Sequence, residues 1–157
     1  MKRLRMIAVP FGSYVHYHGG KLLEWYGAER LERMFAHRSF LDAEVAVAGS
    51  SDYPCGPYEP LLAIQSCVTR QGFDGPVLGA SQRITPYEAL GLYTTGAAYA
   101  SGEQEVKGRL APGYVADFVV LGGDPLATEP ASIASIPVHE TYLGGRRVWP
   151  AADASCG

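Results

Sequence analysis

Carboxylate and imidazole side chains follow two short apolar segments of the chain. Asp52 comes just after Val45–Ala48, an apolar run without polar alternation, and His16 and His18 form an H-x-H pair after the similar segment Arg5–Phe11. Such runs are typical of parallel strands buried on both faces, and barrels and open α/β sheets hold their chemistry at the carboxyl ends of these strands. Asp52 is therefore either a catalytic carboxylate or the cap of the following turn, since aspartate often serves as a cap.

The sequence between the two apolar segments is helical in pattern. Two helical pieces, Lys21–Tyr26 and Ala28–Phe35, are predicted on either side of a break at Gly27, and residues 16–20 before them are predicted to form a loop. The order strand, helix, strand predicts a βαβ unit, in which the two strands run parallel.

Turn chemistry marks the later elements. Pro60 suits the first turn of a helix that continues to Arg70, and Thr85 with Glu88 three residues later predicts a capping box that begins another helix. This second helix is expected to resume after Gly96. The C-terminal third changes to strand and turn material, with a Gly-Gly hairpin turn. The predicted strands are Asp117–Leu121, Val138–Leu143 and Arg147–Trp149.

Composition limits the function classes. The chain has 157 residues, 47% hydrophobic and 18% charged, with a net charge of −3, so it is globular and carries no nucleic-acid footprint. We expect no membrane span and no signal peptide, since its apolar runs are too short. The three widely spaced cysteines, Cys55, Cys67 and Cys156, predict free thiols and a cytoplasmic setting. Two parallel strands and three antiparallel ones leave many edges open, so we expect the chain to be part of something larger.

Four segments match a known family in order and spacing. They are A-G-S-S-D-Y-P (48–54), I-T-P-Y-E-A-L-G-L-Y-T-T-G-A-A-Y-A (84–100), K-G-R-L-A-P-G-Y-V-A-D-F-V-V-L (107–121) and T-Y-L-G-G-R-R-V (141–148). Together they resemble the C-terminal part of amidohydrolase family 3, the branch that includes N-substituted formamide deformylases. The third segment is the most specific of the four.

The resemblance implies an α/β fold in two parts. Residues 1–104 would form the last two β/α units of a metal-dependent-hydrolase (β/α)8 barrel, and residues 105–157 the C-terminal strands of a small β-sandwich with a tail. Family members hydrolyse carbon–nitrogen bonds of amides or formamides with divalent metal, usually zinc. Asp52 matches the aspartate after the eighth strand, which binds metal and takes a proton from the attacking water. Asp117 would be structural, within the sandwich.

The other site residues follow from the same resemblance. The stretch around His16 and His18 aligns with the loop after the seventh strand, so we interpret the pair as loop histidines at the mouth of the site. A small metalloprotein built on these two histidines and Asp52 is a further hypothesis. The remaining metal ligands of the family would lie upstream of Met1. Candidate substrate contacts are His18, Tyr53, Arg83 and Tyr14.

Two function classes remain open. The leading hypothesis is a metal-dependent amidohydrolase acting on a small amide-type substrate, of which this chain is a C-terminal portion from a truncated or split reading frame. It would be inactive alone and need upstream sequence, in a longer chain or in a complementing polypeptide. The alternative is a non-catalytic remnant or interaction module that forms a homo-oligomer or docks on a partner to cover its open edges. Neither nucleic acid nor a membrane is an expected partner.

Overall fold

The computed structural model describes residues 1–73 and 75–150, and its elements are of mixed α/β type. Five α-helices and three strands occur within these residues, together with short 3-10 helices at Lys2–Leu4, Ala80–Gln82 and Pro130–Ser135. The helices are α1 (Tyr14–Leu31), α2 (His37–Asp42), α3 (Pro60–Thr69), α4 (Pro86–Tyr93) and α5 (Thr95–Ala100). The strands are β1 (Phe118–Leu121), β2 (Val138–Leu143) and β3 (Arg146–Trp149).

The two N-terminal apolar segments pair in parallel. In the sequence, one segment precedes α1 and the other follows α2. Isolated bridges join Ala8 to Val47 and Phe11 to Ser50, and the Gly12 N–H donates to the Ser50 carbonyl at 3.0 Å. The predicted parallel pairing is therefore confirmed, although the pairs are single bridges and not continuous strands. Whether they belong to a closed (β/α)8 barrel stays a prediction.

Helix α1 begins earlier than the sequence indicated. It starts at Tyr14, so the prediction of a loop over residues 16–20 is wrong. Gly19, which favoured the loop interpretation, lies in close contact with another segment: a Cβ there would come within 2.8 Å of Leu78 Cδ1. A helix can hold glycine where only a missing side chain permits such close packing, in spite of its low helix propensity.

The predicted break at Gly27 is confirmed. Its backbone has φ 74° and ψ 162°, inside an otherwise continuous helix. The second helical piece ends at Leu31, four residues earlier than predicted. The buried guanidinium of Arg70 accounts for this end, since it donates to the carbonyls of Leu31 at 3.3 Å and Met34 at 3.2 Å. A cation is favourable beside the free carbonyls at a helix C-terminus.

The starts of α3 and α4 agree with the sequence. Pro60 is in the first turn of α3, and the capping box of α4 is complete: the Glu88 N–H donates to Thr85 Oγ1 at 3.2 Å, and the Thr85 N–H donates to Glu88 Oε2 at 2.8 Å. The break before α5 falls at Thr94, not at Gly96. Gly96 is retained within α5 because a Cβ there would lie 2.3 Å from the Val47 carbonyl oxygen.

The main core lies between the parallel segments and α3 and α4. The 3-10 helix at Pro130–Ser135 also contributes to it, and the Ala134 N–H donates to Gln65 Oε1 on α3 at 2.8 Å. A smaller apolar cluster lies beneath α1. The buried members of the main core are Ala8, Val45, Val47, Ile64, Cys67, Ile84, Ala89, Leu92, Ile133 and Ile136.

The C-terminal strands form an antiparallel sheet in the order β1-β2-β3. Gly144 and Gly145 make the hairpin turn between β2 and β3 with φ 58° and 76°, both in the left-handed region that such turns require. Asp117 is structural, as predicted, because its Oδ1 accepts the Gly144 N–H at 2.7 Å. That this sheet is part of a β-sandwich stays a prediction.

Two further expectations concern thiols and membranes. Cys55 is exposed and Cys67 is buried, and both are free thiols, while Cys156 lies outside the described residues. Over the described ranges 1–73 and 75–150, the structure has no helix whose length and apolar character would suffice to cross a membrane.

Candidate functional site

Asp52 lies in a tight turn directly after the second parallel segment. Its backbone has φ 55°, a left-handed conformation that aspartate tolerates better than most residues. The Cys55 N–H donates to the Asp52 carbonyl at 2.7 Å, and the Tyr53 N–H donates to Ser51 Oγ at 3.2 Å. These bonds satisfy the turn without the Asp52 carboxylate, which is exposed. The carboxylate is therefore not the cap of this turn.

The Asp52 carboxylate instead receives a hydrogen bond from another element. Tyr14, the first residue of α1, donates its hydroxyl to Asp52 Oδ2. This hydrogen bond raises the pKa of the Tyr14 phenol to about 12, so the phenol stays protonated and remains a donor at neutral pH. Phe11 pairs with Ser50, so the turns after the two parallel segments are adjacent and bring both side chains together.

His18 and Tyr53 lie beside this pair. The Nε2 of His18 is 2.8 Å from the Cys55 carbonyl oxygen and donates to it, since a carbonyl only accepts. The His18 ring is 4.8 Å from the Tyr14 ring, edge to face. Tyr53 follows Asp52 in the chain, and its ring packs edge to face against Tyr58 at 5.5 Å. Aromatic rings thus pack against Tyr14 on α1 and against each other on the loop that follows Asp52.

His16 points to a different part of the molecule. Its Nδ1 is 3.0 Å from the Gln71 carbonyl oxygen, and its ring lies 5.8 Å from that of Phe73. Residues two apart on a helix do not face each other, and the rings of His16 and His18 accordingly bind carbonyls of different loops. The structure does not bring the two histidines together.

Arg83 is also separate from this cluster. Its Nε donates to the Thr69 carbonyl at 2.9 Å, and it lines a cavity of about 300 Å³ with Gln71 and Glu129. A larger cavity of about 600 Å³ lies between α4, α5 and β1, bordered by the Glu103–Lys107 ion pair. Neither cavity includes Asp52, whose surroundings are open to solvent.

Tyr93 packs against Gly12 and Gly49, next to the turn that holds Asp52. Tyr93 donates its hydroxyl to the Ser50 carbonyl at 3.3 Å. A Cβ at Gly12 would lie 2.2 Å from the Tyr93 hydroxyl, and one at Gly49 would lie 2.5 Å from its ring carbons. Both glycines therefore make room for Tyr93, which fixes the backbone two residues before Asp52.

A divalent metal fits this site only in part. Asp52 offers a hard oxygen donor that is exposed, and Oδ1 accepts no hydrogen bond from the described residues. A zinc centre needs three or four protein ligands. Across residues 1–73 and 75–150, no three side chains of His, Cys, Asp or Glu are grouped so that they could hold a metal ion. The described residues thus provide a single ligand, not a complete centre.

The sequence singled out Asp52 and His18 as candidate site residues but did not predict two of the contacts around Asp52. Tyr14 was a candidate substrate contact, and its bond to Asp52 was not foreseen. The sequence contained a sign of this bond, because Tyr14 and Asp52 follow the ends of the two parallel segments by nearly the same number of residues. The packing of Tyr93 beneath the Asp52 turn was also not predicted. Gly12 and Gly49, each at the end of a parallel segment, are consistent with a bulky neighbour at this position.

The chain is similar to known hydrolases. The family model described as "Amidohydrolase family" matches residues 2–149. YtcJ of Bacillus subtilis (strain 168), which is named as an amidohydrolase, is 37% identical over 126 residues, covering 78% of this chain and 24% of the relative. The N-substituted formamide deformylase of Arthrobacter pascens is 34% identical over 128 residues, covering 80% of this chain and 24% of that protein.

A solved structure agrees with these similarities. A metal-dependent hydrolase from Pyrococcus horikoshii OT3 superposes with a TM-score of 0.71 at 25% identity, over 82% of this chain and 26% of the other. The chain spans about a quarter of the length of the curated relatives that it matches.

Proposed function

The chain belongs to amidohydrolase family 3, and on this premise we propose that it supplies the strand-end carboxylate of a metal-dependent hydrolase acting on non-peptide carbon–nitrogen bonds. The position of Asp52 carries the proposal. It is an exposed carboxylate at the carboxyl end of paired parallel segments, held by one hydrogen bond and not used by its own turn. Active sites of parallel α/β folds lie at this edge.

Small amides and formamides are the proposed substrates. One relative is named N-substituted formamide deformylase, and it shares 34% of its aligned residues with this chain. We extend that substrate class to the present protein. His18 and Tyr53 are the proposed substrate contacts, because His18 packs against Tyr14, which binds Asp52, and Tyr53 follows Asp52 in the chain. Arg83 instead lines a separate cavity.

Asp52 moves the proton in the proposed reaction. Its carboxylate accepts a proton from the attacking water as the water oxygen bonds to the amide carbon. The same proton then passes to the leaving nitrogen as the carbon–nitrogen bond breaks, so Asp52 ends the cycle ionised again. A divalent metal, zinc in this proposal, would supply Lewis acidity at the site, with Asp52 as one of its ligands.

The complete centre requires additional ligands. Asp52 is one ligand of the three or four that zinc takes, so the others must come from a complementing polypeptide or a longer chain. We accordingly propose that these 157 residues are inactive alone. The free thiols Cys55 and Cys67 favour a reducing, cytoplasmic setting for the enzyme.

Replacement of Asp52 in the native protein tests the proposal. Asp52→Asn keeps the size of the side chain but removes its negative charge and most of its basicity. We expect it to lower the hydrolysis of N-substituted formamides by about 10²- to 10⁴-fold. Asp42→Asn is the matched control, since Asp42 is an exposed carboxylate on α2 that pairs with Arg38. Activity of Asp52→Asn within twofold of the parent would overturn the proposal.

A second candidate function follows from the exposed C-terminal sheet. Val119, Leu143 and Trp149 are 51%, 57% and 57% exposed, and apolar surface of this kind marks interaction sites. A non-catalytic interaction module would bury these residues by self-association or on a partner. Sedimentation over a range of concentrations tests the self-associating form of this candidate: a concentration-dependent oligomer that carries no metal and hydrolyses no amide would support it over the hydrolase.

A further inference from the structure

We infer that Tyr14 is the positioning residue of the Asp52 carboxylate, holding it in a single orientation for proton transfer. The inference rests on the proposed function of Asp52. The Tyr14 hydroxyl donates to Oδ2, and no other donor in the described part of the chain reaches the carboxylate. One oxygen is thus engaged by the protein, while Oδ1 remains open for the reaction.

The Tyr14 ring is itself held in place on several sides. Its centroid lies 4.7 Å from that of Phe11, 4.8 Å from that of His18 and 5.6 Å from that of Phe35, in tilted or edge-to-face contacts. The Gly56 backbone closes another side, because a Cβ there would lie 2.9 Å from Tyr14 Cε1. Aromatic contacts of this geometry are favourable and limit rotation of the ring.

One wall of this aromatic cluster is anchored in the protein interior. Phe35 has φ 47°, and its carbonyl accepts a hydrogen bond from the fully buried guanidinium of Arg70 at 3.1 Å. The backbone beneath the Phe35 ring is therefore fixed by a buried cation. The Tyr14 ring therefore packs against a fixed neighbour on that side. A residue that orients a functional carboxylate needs such a fixed position of its own.

Neighbouring tyrosines do not share this role. Tyr17 lies against His18 at 4.8 Å, and Tyr53 lies against Tyr58, but neither hydroxyl bonds to Asp52. Tyr14 differs because it is the first residue of α1, beside the turn that holds Asp52. The structure thus connects Asp52 to α1 through a single phenol, which a conservative substitution can remove.

Tyr14→Phe tests the inference, since it removes the hydroxyl and keeps the ring that packs in the cluster. In the native hydrolase, we expect kcat to fall about 10- to 100-fold with KM changed less than about twofold, as outer partners of functional groups show. Tyr26→Phe is the matched control, because Tyr26 is an exposed tyrosine on the same helix that lies against Arg30. It should leave both constants unchanged.

A spectroscopic measurement supplies a readout independent of turnover. The side-chain carboxyl ¹³C resonance of Asp52, assigned by its loss in Asp52→Asn, should shift in Tyr14→Phe and not in Tyr26→Phe. An unchanged resonance or an unchanged kcat in Tyr14→Phe would overturn the inference. If Asp52→Asn abolishes hydrolysis while Tyr14→Phe is fully active, the positioning role alone fails. If Asp52→Asn is itself active, the proposed function fails, and the positioning role with it.

Discussion

The N-terminal two-thirds of the chain and its C-terminal sheet differ in how they are stabilised. The first region buries an apolar core between parallel segments and helices, with a buried cation and a buried histidine inside it. In the sheet, every residue of β3 is exposed, and the Phe118 ring stacks on the Tyr142 ring with centroids 4.4 Å apart. The first region therefore holds most of the buried apolar side chains, although it also exposes large ones such as Trp25 and Phe73, whereas no strand residue of the sheet is buried.

The connection between the two regions shows where the boundary lies. Ile133 and Ile136, on the segment between β1 and β2, belong to the core of the first region. The sheet is thus joined to the first region through its linking segment, and Leu121 of β1 also packs against that core. Substitutions of one residue type should consequently change the free energy of unfolding by unequal amounts in the two regions.

Removal of a buried cation should produce the largest difference. Arg70 is fully buried, and its guanidinium donates to four carbonyls, those of Leu31, Met34, Phe35 and Leu78. We expect Arg70→Met to lower the free energy of unfolding by about 3 kcal/mol or more, because the carbonyls lose a charged donor.

Arg109 provides the control for this substitution. It is exposed and lies over the Tyr114 ring at 5.5 Å. Arg109→Met should cost less than about 1 kcal/mol in urea denaturation. Equal losses for the two variants would contradict the distinction between the regions.

Acid should destabilise the first region through His37. Burial lowers the pKa of His37 from 6.5 to about 4, with the nearby Arg70 charge acting in the same direction. The unfolded chain therefore binds the proton first. The free energy of unfolding should be highest above about pH 6.5, fall as the pH drops towards 4, and lose up to about 3 kcal/mol through this group.

Two substitutions isolate this contribution. His37→Phe should remove the slope between pH 6.5 and 4 in denaturation experiments, whereas His139→Phe, on the exposed β2, should keep it. Glu32 and Glu88 also have lowered pKa values, through bonds to Ser81 and Thr85 among others, so their loss of stability in more acidic solution should persist in both variants. A slope that survives His37→Phe would contradict the prediction.

Two valines, one in each region, allow the same substitution to be compared at a buried and an exposed position. Val47 is 6% exposed in the core, and Val119 is 51% exposed on β1. Val47→Thr should cost about 2 kcal/mol because it places a hydroxyl in the core without a partner. Val119→Thr should change the free energy of unfolding by no more than about 0.5 kcal/mol, as surface substitutions do. Thermal denaturation of both variants measures the difference.

The smallest predicted effect is local to the sheet. Asp117→Ala removes the acceptor for the Gly144 N–H and should cost about 1 kcal/mol. Glu105 is the control, since it is exposed and forms no ion pair with any described residue, and Glu105→Ala should have almost no effect. Amide hydrogen exchange at Gly144 should accelerate in Asp117→Ala alone. Unchanged exchange would contradict the hydrogen bond from the Gly144 N–H to Asp117.

The parts of the fold that were predicted correctly have strong local signals. The capping box at Thr85, the break at Gly27 and the Gly144–Gly145 turn depend on neighbours in sequence, and all three are confirmed. The start of α1 was missed, because Gly19 and Gly20 look like loop residues unless the packing of Leu78 against Gly19 is known. Such long-range contacts cannot be read from a single sequence.

The candidate site divides in the same way. Asp52 stood out because a carboxylate follows an apolar run, and that placement depends only on local sequence. Its bond to Tyr14 depends on which residues pair across the parallel segments. The orientation of His16 away from His18 follows from the helix that the sequence pattern did not predict.

Native mass spectrometry of the protein captured from its source cells tests the central claim most directly, because one spectrum reports both polypeptide mass and bound metal. We predict a species heavier than this chain alone, carrying a divalent metal, in which Asp52 completes a centre whose other ligands come from additional polypeptide. A product with the mass of these 157 residues alone, with or without a bound metal, would contradict the account.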